Sequence, residues 1–161
     1  MHKGLRPAAT ITLTVCLLII AALPVSAATG FALGPRGGYD FDSDHIVLGA
    51  EAEFGQVLQV FRFAPSIDLE PGDHTPVTLN SDFRLYLFNL PESGLRFYGS
   101  AGPTLLIDSH DKGGNDTGIG LSLVAGVKIP MKGVNRYNVE TRFGIGDIPD
   151  FKLMLTVLFG I

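Results

Sequence analysis

From Arg136 to Ile161 the side chains alternate between two chemistries so strictly that few folds can hold them. Tyr137, Val139, Phe143 and Ile145 share one parity, while Arg136, Asn138, Glu140, Arg142 and Gly144 occupy the other. Leu153, Leu155, Val157, Phe159 and Ile161 repeat the alternation to the last residue. Successive side chains of a strand point to opposite faces, so this segment has one apolar face and one face charged in both signs. A soluble sheet turns its apolar face inward. A chain carrying an export signal has a second solution, a small closed barrel with its apolar face in lipid and its charges enclosed.

Such a signal stands at the N-terminus. Lys3 and Arg6 precede an apolar stretch from about Ala8 to Leu23, followed by Pro24-Val25-Ser26-Ala27. A charged start, an apolar middle and a small-x-small end describe a cleavable secretory leader, with cleavage expected after Ala27. Cys16 lies inside the apolar stretch, away from that boundary. It leaves with the leader, so no disulfide supports the mature fold. Residues 28–161 form one domain by length. Loss of two basic residues moves the formal charge from −4 to −6. An acidic exported chain lacks the basic footprint that nucleic acid requires. The mature part has no apolar run long enough for a spanning helix, so any crossing is made by strands.

The mature chain parses into eight alternating segments, at about 30–40, 45–54, 57–69, 77–88, 94–107, 117–130, 135–146 and 151–161. Turn signals separate them: Asp42-Ser43-Asp44, Gly55-Gln56, Glu70-Pro71-Gly72-Asp73, Asn89 to Gly94, Asp108 to Asp116, Met131-Lys132-Gly133 and Asp147 to Asp150. Even strand number and short connections specify an all-β fold, an eight-stranded antiparallel up-and-down transmembrane barrel. Pro35, Pro65 and Pro103 fall inside strands, where proline removes a ladder donor. They mark bulges or places where a strand has left the hydrocarbon.

The inward parity collects Arg36, Arg62, Arg84, Arg96, Lys128, Arg136, Arg142 and Lys152. It also collects Glu51, Glu53, Asp82 and Glu140, with Asp40 and Asp68 near the rim. An eight-stranded lumen is narrow enough for side chains to fill it, and charges enclosed there must pair. Inward glycines (Gly34, Gly38, Gly49, Gly118, Gly120, Gly126 and Gly144) leave room for the long arginines. The expected interior is a packed ion-pair network rather than an open pore.

This combination of leader, alternation, strand count and C-terminal strand resembles the small eight-stranded outer-membrane β-barrel proteins of Gram-negative bacteria, the group with OmpA-type and OmpX-type barrels. Members usually end in an aromatic residue that the barrel-assembly machinery recognises; here Phe159 sits two positions before the end. The resemblance implies an outer-membrane location, both termini on the periplasmic side, and loops near 41–44, 70–76, 108–116 and 147–150 facing outward. It also implies as partners the outer-membrane lipids and lipopolysaccharide, with the assembly machinery acting during biogenesis. A closed barrel has no edge to pair, so a monomer is expected.

Those four loops hold Asp42, Asp44, Glu70, Asp73, Asp108, Asp111, Asp116, Asp147 and Asp150 against Lys112, and His45, His74 and His110 lie at the same end. Oxygen clusters bind Ca²⁺ or Mg²⁺, but Asp108 to Asp116 lacks the ligand spacing of a calcium loop, and a solvated acidic rim is expected. Asp108-Ser109-His110 places catalytic residue types side by side, whereas nucleophilic catalysis needs them to converge. His74 or His110 with Ser81 or Ser109 would be the pairing for a lipid A-modifying enzyme, the first alternative. Gly118-x-Gly120 and Gly144-x-Gly146 lack the third glycine of a dinucleotide fingerprint, and Asn115-Asp116-Thr117 is a coincidental glycosylation match. A lipocalin-like binder, the second alternative, needs an apolar interior, the reverse of the parity at 136–145. The expected role is structural, adhesive or surface-interacting, with no enzymatic activity, no catalytic, cofactor-binding or metal residue and no cofactor.

Overall fold

The computed structural model describes residues 30–58, 60–72, 75–110 and 114–160, so the expected leader lies outside the described residues. The strands are β1 (Ala32–Asp40), β2 (His45–Glu53), β3 (Gln56–Leu58), β4 (Phe61–Leu69), β5 (Val77–Leu90), β6 (Leu95–His110), β7 (Gly114–Pro130), β8 (Arg136–Gly146) and β9 (Phe151–Gly160). Every pairing is antiparallel, β9 returns to β1, and β2 pairs with β4 to close the ring.

The barrel nevertheless has eight staves, because β2 and β3 are two pieces of one. Gly55-Gln56 does not form the expected turn. The Phe54 N–H donates to the Phe63 carbonyl at 2.8 Å, and Gln56 and Leu58 go on to face Arg62 and Phe61 with a shifted register. The chain reverses between Leu58 and Phe61 instead, so Gly55 marks a bulge, the other use of a strand glycine. The described ends of the 108–116 stretch are strand rather than loop. β6 and β7 run on to His110 and Gly114, and Asp108 lies opposite Asp116.

The faces are disposed as the alternation requires. Phe143 and Phe159 are 47% and 48% exposed on the outside, while Arg142 between the staves' inner faces is 4% exposed. Leu48, Ile67, Leu87, Ile119, Leu121, Leu123, Leu153 and Leu155 extend the apolar exterior around the ring. Ten residues of β9, tilted by about 40°, rise about 25 Å, the height of the outward apolar band in membrane barrels.

Aromatic rings gather at both ends of that band. At the end with the termini, Phe31, Phe54, Phe63 and Phe83 form a chain with centroids 5.2, 6.0 and 5.4 Å apart. Phe63 is on the lipid parity yet buried, because its neighbours' rings cover it. At the opposite end Tyr39, Phe41, Phe151 and Phe143 are linked at 5.1, 5.2 and 5.1 Å. Paired aromatic girdles of this kind suit the two interfaces of a bilayer.

The three strand prolines all point outward and do not leave the sheet. The β1–β9 ladder skips Gly34 and Pro35, and the β5–β6 ladder skips Ser81 and Asp82 opposite Gly102 and Pro103. Each gap falls where proline has no N–H to give. Pro65 stands just past the last β2–β4 pair, Glu51↔Ser66. The chain thus tolerates local gaps in the ladder without a bulge at Pro35 or Pro103.

Candidate functional site

The enclosed side chains are the chemical feature of this molecule. Among the described residues, seven cations (Arg36, Arg62, Arg84, Lys128, Arg136, Arg142 and Lys152) pair with seven carboxylates. The carboxylates are Asp40, Glu51, Glu53, Asp68, Glu70, Asp82 and Glu140. They stack in layers because each strand contributes every second residue to the lumen at a height set by its register.

In the middle layer Arg84 reaches Glu53 at 2.7 Å, Glu51 at 2.9 Å and Glu140 at 2.5 Å. Arg36 joins Glu51 and Asp68 at 3.2 Å each and Glu140 at 3.4 Å. The Tyr98 hydroxyl donates to Glu140 at 2.6 Å, and the Arg84 guanidinium lies 4.2 Å above the Tyr98 ring. That ring leans over Gly126, where a Cβ would come within 2.4 Å of the Tyr98 Cζ.

Above this, towards the end remote from the termini, Arg142 pairs with Asp82 at 2.5 Å and donates to the Asn80 Oδ1 at 3.2 Å. Asn80 donates to Ser66 and Asp68 at 3.0 and 2.9 Å, and Thr104 links Asn80 to Ser122. The topmost layer is Lys152 between Asp40 and Glu70, with the Ser43 hydroxyl on Glu70 at 3.1 Å. Asp40 also accepts from the Asp42 and Ser43 N–H groups, tying the β1–β2 turn to the lumen.

The sequence reading needs four corrections here. Glu70, assigned to an outward loop, is buried in the lumen with Lys152. Asp68, expected near the rim, is enclosed deeper in the lumen against Arg36, while Asp40 does stand at the mouth, buried in the topmost layer. Arg96 has the inward parity but sits so close to the end of β6 that it is exposed. The inward glycines mostly make room for backbone, not for arginines. A Cβ on Gly118 or Gly144 would strike the carbonyl of Asp147 or Pro149, and one on Gly120 would strike Ile148. The β8–β9 turn therefore folds over the mouth and buries Ile148 there, a contact no local sequence pattern announces.

Among the described residues the remaining candidates do not converge. His45 is exposed at the start of β2, and Asp42, Asp44, Asp116, Asp147 and Asp150 are exposed at the same end. Ser81 lies between inward Asn80 and Asp82 and so faces outward at mid-height rather than at the rim. Asp73, His74, Asp111 and Lys112, and the side chains of Ser109 and His110, lie outside the described residues. Among the described residues no three His, Cys, Asp or Glu side chains are grouped so as to hold a metal ion.

An exterior of this kind belongs in a bilayer, and comparison with solved structures agrees. The N-terminal β-barrel domain of Pseudomonas aeruginosa OprF superposes with a TM-score of 0.68 at 18% identity, over 83% of this chain and 98% of that one. Neisserial surface protein A gives 0.58 at 14% identity over 82% and 95%. A de novo designed transmembrane barrel gives 0.58 at 10% identity over 83% and 97%. The chain has the eight-stranded outer-membrane barrel fold. No protein-family model matches it, and no curated protein matches it. Because a designed sequence shares the architecture, the architecture alone does not carry a function.

Proposed function

We propose that this chain resides in the outer membrane as a structural and surface-contact barrel, with a sealed lumen and short acidic turns displayed at one face. The observation that carries this reading is the lumen, crossed by paired charges from the Glu53 layer to the Lys152 layer and covered by Ile148. A diffusion pore would need those groups to line water rather than one another. The lipid-facing band supports outer-membrane lipids and lipopolysaccharide as its surroundings, reached with the help of the barrel-assembly machinery. Closure of the sheet supports a monomer. The projecting ends of β6 and β7 and the turns at 41–44 and 147–150 would form the contact surface. Among the described residues nothing favours the lipid A-modifying alternative: Ser81 faces lipid, and the side chains of His74, Ser109 and His110 lie outside the described residues.

Two measurements test the reading. Mature protein reconstituted in planar bilayers is expected to give no regular single-channel steps; steady steps of uniform size would overturn the sealed lumen. The mature chain has no cysteine, so single cysteines report topology cleanly. Asp42→Cys is expected to react with an impermeant maleimide on intact cells, and Lys132→Cys only after permeabilisation; the reverse pattern would turn the barrel over.

A further inference from the structure

The lumen's charges balance in number but not in position. The Glu53 carboxylate, fully enclosed, receives Arg84 at 2.7 Å, Lys128 at 2.8 Å, Arg62 at 3.0 Å and Arg136 at 3.1 Å. Arg84 is also matched by Glu51 and Glu140. Arg62, Lys128 and Arg136 have no second acidic partner among the described residues. Three cations therefore share one carboxylate, and two positive charges stay uncompensated at the mouth beside the chain termini. The balancing negative charge is divided: Arg36 and Arg84 face Glu51, Asp68 and Glu140 in the middle layer, and at the opposite mouth Lys152 stands between Asp40 and Glu70.

This cationic mouth is open to solvent. The side chains of Arg62, Arg136 and Lys128 are 23%, 16% and 8% exposed, and exposed Arg96 lies directly across from Lys128 in the β6–β7 register. Among the described residues, turns around the mouth supply Lys132 and one acid, exposed Glu92. The Arg136 Nε is buried with no hydrogen-bond partner. The Tyr86 ring completes the wall, 4.6 Å from the Lys128 ammonium and 5.6 Å from the Arg62 guanidinium. Like charges held together at the edge of a low-dielectric lumen repel strongly, and an entering anion removes that repulsion. Guanidinium forks match the tetrahedral oxygens of phosphate and leave donors over after one bond each to Glu53. A dianion offsets the two-charge excess, which a chloride ion would only halve.

We propose that the mouth formed by Arg62, Lys128 and Arg136 is a binding site for a phosphoryl dianion, either free or as the headgroup of a phospholipid at that face of the membrane. The test uses the full mature chain folded in octyl glucoside, a phosphate-free detergent, at low ionic strength, with inorganic phosphate as the probe. Calorimetric titration is expected to give saturable one-to-one binding, weakened at least tenfold by Arg136→Gln and by Arg62→Gln and unchanged by His45→Gln at the opposite end of the barrel. Heat-modifiable gel mobility confirms that each variant is folded. Independently of any variant, phosphate is expected to protect the wild-type barrel against urea beyond chloride at equal ionic strength. Dihexanoyl phosphatidate separates the sources: tighter binding than inorganic phosphate assigns the lipid headgroup, and equal binding assigns the free ion. Absence of saturable binding to the wild type, or equal binding by both arginine variants and the wild type, would overturn the site.

Discussion

Arg84→Gln tests the enclosed network most directly. The native guanidinium is fully buried and contacts three carboxylates, at 2.5 to 2.9 Å, and the Tyr98 ring at 4.2 Å. Without it, Glu53 keeps Arg62, Lys128 and Arg136, but Glu51 and Glu140 are left to Arg36, which already serves Asp68. Stranding buried charge in this way costs about 3–5 kcal/mol. Glu140→Gln is gentler, because Arg84 retains Glu51 and Glu53, and loses about 1.5–3 kcal/mol of charged hydrogen bonding. In the double variant the stranded Glu140 charge no longer exists, so the two losses are expected to fall short of their sum by about 2 kcal/mol. The assay is urea unfolding of the four proteins in phospholipid vesicles. The chain has no tryptophan, so the signal is far-UV circular dichroism or the gel mobility of unheated samples. Additivity within about 0.5 kcal/mol would mean that the two groups do not interact in the membrane and would refute the network as drawn.

Other outcomes follow from the same geometry. Leu155→Arg, at mid-height on the outside of β9, is expected to cost about 2–4 kcal/mol in the vesicle titration; a neutral effect would mean that this face meets water. Gly126→Ala pushes a methyl group into the Tyr98 ring and is expected to destabilise by about 1–3 kcal/mol. Adding Tyr98→Ala should abolish most of the increment owed to Gly126→Ala, and an unchanged increment would show that the ring does not lie there. Pro103→Ala supplies an N–H opposite Ser81, where the β5–β6 ladder is interrupted, and is expected to stabilise by about 1 kcal/mol; a loss of stability would place the missing bond elsewhere.

The fold was legible in the sequence because a transmembrane strand answers to local rules. Its two faces meet different solvents, so Val139, Phe143, Leu153 and Leu155 against Glu140, Arg142 and Lys152 give direction and location without any knowledge of neighbours. Turn boundaries were less secure, as glycine serves both a reversal and a bulge. Gly55 read as a turn and proved to be a bulge, while 108–110 and 114–116 read as loop and proved to extend two paired strands.

Residue chemistry and parity by themselves determined that charges of both signs would be enclosed and that lipid-facing residues would surround them. Which charge meets which was decided only by the closed ring, since partners such as Arg36 and Glu140 stand 104 residues apart and are brought together by register and shear around the barrel. The same closure draws Glu70 into the lumen, folds Ile148 over one mouth and crowds four cations onto Glu53 at the other. Periodicity along one strand records which face a side chain takes. Height and angular position, which set the electrostatics, exist only once all eight staves are joined.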